Sequence, residues 1–106
     1  MDNKIIPTVL KQNIQIVEHY GTKKQIPIWI EEKAELTKVL CKWARVYEKN
    51  EGDIPEDIYM AMYEEIADVT ICLDQLKYVM HLYEDDLMNL YSKKVQRQLD
   101  RIKHEK

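Results

Sequence analysis

The amino-acid sequence predicts an all-α protein: a single helical domain over residues 1–106, built as a bundle of about four helices. Three observations predict it. Two Gly and three Pro fall at a few places and divide the chain cleanly. Between them, apolar residues recur at steps of three and four, the spacing of one helix face. No segment alternates with period two for long enough to pair into a sheet. From about Thr8 to Tyr20, Val9, Leu10, Ile14, Ile16 and Val17 form the first helical pattern, and Gly21 supplies the expected stop. Pro27 suits a first helical turn. From Pro27 to about Lys49, Ala, Leu, Lys and Glu dominate, which predicts the second helix. Asn50-Glu51-Gly52-Asp53-Ile54-Pro55 reads as a loop. A third helix is predicted from about Pro55 to Tyr83, and Glu84-Asp85-Asp86 marks a turn and the acidic start of the last.

Composition narrows the function classes. Sixteen basic against nineteen acidic residues give a net charge of −3 and a pI near 5.6, without the positive footprint of a nucleic-acid binder. No apolar run approaches the ~18 residues of a membrane span. The N-terminal stretch MDNKIIPTVLKQN has no apolar core of signal-peptide length, so a cytoplasmic location is expected. Cys41 and Cys72 are too few for a disulfide scaffold and form no zinc pattern; both are expected reduced and buried. The third helix as predicted would run ~45 Å, long for a domain whose radius of gyration should be ~13 Å. Part of it is expected to pack against another subunit, in a homodimer or homotetramer.

On a helical wheel the inward stripe of the second helix reads Trp29, Glu32, Leu36, Val39, Trp43, Val46. That of the third reads Ile58, Met62, Glu65, Val69, Cys72, Leu76, Val79, Tyr83. A carboxylate sits mid-stripe in each, with a second acid three residues on: Glu35 after Glu32, Asp68 after Glu65. Glu31 lies at the border. Acids are rarely buried unpaired, and clustered anions raise one another's pKa. Neither stripe holds a Lys or Arg, and Lys33 lies only at its helix edge. A divalent cation is the simplest neutraliser. Oxygen donors without His or Cys suit Mg²⁺, Ca²⁺ or Mn²⁺. The Glu-x-x-His step of di-iron bundles is absent, and no EF-hand loop occurs. Mg²⁺ held by few carboxylates and substrate phosphates fits hydrolysis of a nucleoside triphosphate.

Glu31-Glu32-Lys33-Ala34-Glu35 has the form EExxE, and Glu65-Ile66-Ala67-Asp68 the form ExxD. In this order they resemble the all-α nucleoside triphosphate pyrophosphohydrolases of the MazG-like group, which includes dimeric dUTPases and dCTP pyrophosphatases. The chain is similar to the short MazG-like proteins of phages and Gram-positive bacteria over most of its length. The similarity includes His19-Tyr20-Gly21 with Gln25, Ala34-Glu35-Leu36, Glu65 to Val69 followed by Leu73-Asp74-Gln75-Leu76, and Lys94, Arg97 and Arg101-Ile102. Twenty-nine residues separate Glu35 from Glu65, at or just past the long end of the family's gap, which reads as a longer loop around Gly52. The resemblance implies Mg²⁺-dependent cleavage between the α- and β-phosphates, giving a nucleoside monophosphate and pyrophosphate. By match to the motif, Glu32, Glu35, Glu65 and Asp68 would ligate the metal, with Mn²⁺ as a substitute. Glu31 would orient or deprotonate the attacking water, or support a second ion.

Further substrate contacts are expected from Gln25, seven residues before Glu32 on the same stripe, and from Trp29 and Trp43, which could stack on a base or simply fill the core. Lys94, Arg97 and Arg101 share one face of the last helix and could hold phosphates as it folds over the site, or remain solvated. His19 and His81 are expected to be structural or exposed. Two other classes compete with the enzyme: a helical interaction or adaptor module, favoured by the long apolar stripes, and a nucleotide-binding sensor that keeps the metal without turnover.

Overall fold

The computed structural model describes residues 5–105, with side chains from residue 8 onward; the start of the N-terminal stretch read above lies outside the described residues. Four helices follow one another: α1 (Ile5–Tyr20), α2 (Thr22–Lys49), α3 (Glu56–Val79) and α4 (Glu84–His104). No strand occurs among the described residues, as the periodicity predicts. No described helix is long and apolar enough to cross a membrane.

The breaks between helices are local. Gly21 is the only non-helical residue between α1 and α2; its φ of 86° is open to Gly, its N–H donates to the Val17 carbonyl at 2.8 Å, and its carbonyl accepts from the Gln25 N–H at 3.2 Å. One residue therefore ends α1 and begins α2. The predicted start of the second helix at Pro27 is corrected: α2 begins at Thr22, with Pro27 inside it. Pro27 removes one ladder bond, to the Lys23 carbonyl, at an exposed position where water can satisfy it. α2 ends at Lys49, where the Gly52 N–H reaches back to the Tyr47 carbonyl at 2.8 Å around Glu51 in the left-handed region (φ 54°). The loop to α3 covers only residues 50–55. Of the twenty-nine residues between Glu35 and Glu65 these six are the loop and the rest are helix, where a longer loop around Gly52 was expected.

α3 is also shorter than predicted. It stops at Val79, because His81 adopts φ 54° and the Leu82 and His81 N–H groups turn back to the carbonyls of Lys77 and Tyr78 at 3.0 and 3.1 Å. These are the paired bonds of a Schellman stop. Its 24 residues span ~36 Å, so the predicted ~45 Å length no longer argues for a second subunit.

α2 and α3 form an antiparallel pair with α1 against both, whereas α4 packs on none of them among the described residues. The bundle expected of one chain is therefore three helices and a projecting fourth. Its Cα radius of gyration is 17.5 Å, against ~13 Å for a compact domain of this length. The predicted stripes are where burial concentrates. Trp29, Glu32, Leu36, Val39, Trp43 and Val46 are the half-buried residues of α2, and Ile58 and Cys72 are buried on α3. Tyr83 departs from its stripe and is exposed, because the helix has already ended. Cys41, expected buried, is exposed: it points off the seam, while Cys72 sits in it.

Candidate metal centre

Glu32 on α2 and Glu65 and Asp68 on α3 each offer a carboxylate oxygen within 4.8 Å of the other two. The i, i+3 step from Glu65 to Asp68 puts both on one side of α3, and the antiparallel pairing brings Glu32 opposite them. Glu65 Oε2 is shielded from solvent and has no hydrogen-bond partner. Among the described residues, no Lys, Arg or His nitrogen comes within ion-pair distance of the three acids; the ion pairs present join Lys77 to Asp74 and Glu84. A shielded acceptor without a donor is costly, and more so beside two other anions.

The electrostatics show the same conflict. The Glu32 carboxyl is pushed above the usual carboxylate range, first by burial, then by the charges of Asp68, Glu65, Glu31 and Glu35. Burial, Asp68, Glu35 and Glu64 push Glu65 the same way. Cys72, beneath the acids, has its thiol raised by burial and then by Glu32 and Asp68. It therefore stays protonated and leaves an all-oxygen donor set. Opposed donors around a Mg²⁺ ion stand ~4.2 Å apart and around Ca²⁺ ~5 Å, so three oxygens all within 4.8 Å of one another could share one such ion.

Of the four predicted ligands, the structure brings three together. Glu35 is exposed and outside the cluster, though close enough for its charge to act on both glutamates. Glu31 is exposed beside Glu32 and acts on it in the same way.

One layer away, the same seam holds a second polar group. The Gln75 Oε1 accepts from Gln25 Nε2 at 3.0 Å and from Trp29 Nε1 at 2.8 Å. The Gln75 Nε2 donates to Asn13 Oδ1 at 2.8 Å, and Asn13 Nδ2 donates to the Ile71 carbonyl at 3.1 Å. Gln25, Gln75 and Asn13 are 4%, 3% and 8% exposed. Gln25 and Trp29, expected to meet substrate, thus direct their donors to Gln75, and this network joins α1, α2 and α3. Asn13 and Gln75 were not legible as partners, since each sits one step off an apolar stripe. Trp43 stacks on Tyr47 (centroids 5.0 Å, planes 26° apart), about three turns or ~16 Å along α2 from Glu32.

A groove of about 490 Å³ runs between α2 and α3, with the Trp29 ring, Leu36, Val69 and Cys72 in its walls and Lys33 as its one charged lining residue; none of the three acids lines it. Lys94, Arg97 and Arg101 are exposed on α4, which in the single chain does not fold over the site as expected. The chain matches no protein-family model, no curated protein and no solved structure.

Proposed function

We propose that the chain is a MazG-like, Mg²⁺-dependent nucleoside triphosphate pyrophosphohydrolase that converts a (d)NTP to a (d)NMP and pyrophosphate, working in the cytoplasm as a homo-oligomer. The observation that carries the reading is the convergence of Glu32, Glu65 and Asp68 with a shielded Glu65 oxygen that has no partner. Such an arrangement is unfavourable for the bare chain and is relieved by a cation.

When bound, Mg²⁺ neutralises phosphate oxygens and makes a coordinated water more acidic. Mn²⁺ can substitute. The chain's own residues do the rest. Glu32, Glu65 and Asp68 would hold the ion. Glu31, exposed and next to Glu32, orients the attacking water and takes its proton. The apolar groove with the Trp29 ring offers the base a surface away from water.

The test is a panel of canonical and modified (d)NTPs with Mg²⁺ and pyrophosphate detection. At least one substrate is expected to turn over, and Glu32→Gln or Asp68→Asn is expected to reduce the rate at least 100-fold, a loss typical of removing one electrostatic contact to the transition state. No turnover across the panel overturns the reading. Melting in Mg²⁺ against EDTA separates the other classes. An ion at a hundred times its Kd adds about 2.7 kcal/mol to a folded state that alone binds it. A Tm rise without pyrophosphate marks a nucleotide sensor, and no rise marks an adaptor module.

A further inference from the structure

The groove between α2 and α3 opens on the side of that pair away from α1. On α3 its walls, Val69, Leu73 and Leu76, lie about half a turn from Ile71, Gln75 and Tyr78, which meet α1. On α2 the walls are Ile26, Trp29, Ile30 and Leu36. Its volume of about 490 Å³ falls within the ~300–1,000 Å³ of small-molecule sites, which are likewise mostly apolar with a few placed polar groups. The three acids of the metal centre do not line it, so the groove is a separate site.

Of the polar side chains at the groove, one is left to meet a ligand. The Trp29 indole N–H is spent on Gln75 at 2.8 Å, so the ring offers only its apolar surface. The Cys72 thiol, raised by burial, is neutral. Lys33 remains. Its neighbours three and four residues away along α2 are Trp29, Ile30, Leu36 and Thr37, none of them acidic. Among the described residues both ion pairs use Lys77 and none uses Lys33. A lysine stem can cover apolar surface by itself, but the 490 Å³ stand open with the Lys33 side chain in place.

An ammonium group only donates hydrogen bonds, so its complement is an anionic acceptor, and the walls call for an apolar body behind that head. From Lys33 the groove runs past Ile30 and Trp29 to Ile26 and Leu76, seven residues or ~10 Å along α2. That is the reach of an extended alkyl chain of about eight carbons with bonds of ~1.5 Å. We propose that the groove binds a medium-chain alkanoic acid, with its carboxylate on Lys33 and its chain laid between the α2 and α3 walls. The proposal does not rest on the catalytic reading, since the binding needs neither metal nor nucleotide. Acid and base would share the Trp29 wall, so an acid seated there would also hold a nucleotide out.

Calorimetric titration of the full chain in EDTA with hexanoate, octanoate, decanoate and dodecanoate, at neutral pH and below micelle-forming concentrations, tests it. One acid per chain is expected to bind. Affinity should rise about threefold to fourfold per added CH₂ up to decanoate and level off at dodecanoate, whose chain outruns the groove. Lys33→Met should weaken decanoate by about tenfold or more, the size of a lost charge-assisted hydrogen bond, and leave 1-decanol unchanged. Lys33→Arg should retain decanoate. Leu73→Asp, at an exposed wall position, should weaken acid and alcohol alike. Unchanged helix content by circular dichroism shows that each variant folds. No binding at any chain length, whether the groove stays empty or a second copy fills it, overturns the proposal. Affinity that keeps climbing through dodecanoate overturns it as unspecific adhesion, and so does decanoate binding that Lys33→Met or Leu73→Asp leaves intact.

Discussion

Two layers of the α2/α3 seam lie within about two turns of each other and treat polar side chains in opposite ways. At Gln75 both ends of the side-chain amide have partners: Gln25 and Trp29 donate to its oxygen, its nitrogen donates to Asn13, and Asn13 donates on to the Ile71 carbonyl. At Glu32, Glu65 and Asp68, three like charges converge and a shielded oxygen has none. Both layers use polar residues where leucine would pack, so polarity alone does not distinguish structure from site. The difference is closure. A network whose partners come from three helices fixes how those helices meet. A set of acids that no residue of the chain neutralises lowers the stability of the bare fold, and such local inconsistency is where a ligand is expected.

The sharpest way to break this comparison is Gln75→Ala. It strands the Gln25 and Trp29 donors and the Asn13 acceptor in one step, and each buried group left unpaired costs ~1–3 kcal/mol. A loss of about 3 kcal/mol is expected in urea unfolding; a loss under about 1 kcal/mol would mean the network adds little beyond packing. At the acids the sign reverses. In EDTA, Glu65→Gln should raise the urea midpoint, because it removes a charge from a site that repels it. The same change should abolish the gain in midpoint that Mg²⁺ gives the wild type. An equal midpoint in EDTA for both proteins would show that the acids are not in conflict.

The pH dependence follows from the same sign. Glu32 and Glu65 have folded pKa values raised above 4.5, so the folded chain without metal binds protons more tightly than the unfolded one. That contribution is fully present near and below 4.5 and is lost as pH rises through the raised values. In EDTA, acidification from pH 7 toward 5 should therefore raise the midpoint. With saturating Mg²⁺ the gain from the ion should shrink over the same range, since protons and the metal compete for the same oxygens. Urea titrations at several pH values, with and without Mg²⁺, check both slopes.

The sequence carried the faces of the helices better than their ends. The half-buried stripe of α2 is legible residue by residue, because side chains three and four apart must share a face whatever the tertiary context. The convergence of Glu32 with Glu65 and Asp68 follows once two such stripes meet antiparallel. Pro27 misled as a start signal because Gly21 had already supplied the break, and a proline early in an exposed helix costs one bond rather than the helix. The end of α3 was hidden because its stop uses His81 in a left-handed conformation where Gly is the usual marker. The Gln75 network was illegible for a different reason. Asn13, Gln25 and Gln75 are far apart in the chain, and only tertiary packing makes partners of them. The standing of α4 apart from its own bundle was likewise invisible, since an amphipathic stripe states that a face needs covering and not which chain covers it.

The corner at His81 offers the smallest effect and the cleanest separation. A residue with a Cβ pays for φ 54°, and Gly does not, though Gly also gains freedom in the unfolded chain. His81→Gly should therefore stabilise the protein by only about 0.5–1 kcal/mol, read as a small rise in urea midpoint at unchanged slope. Neither layer of the seam touches this corner, so the Mg²⁺-dependent gain and the response to Gln75→Ala should be unchanged in its presence, as expected of sites without shared partners. A change in either would show that the direction of α4, set at His81, is coupled to the acids. That coupling would make the corner part of the site rather than its support.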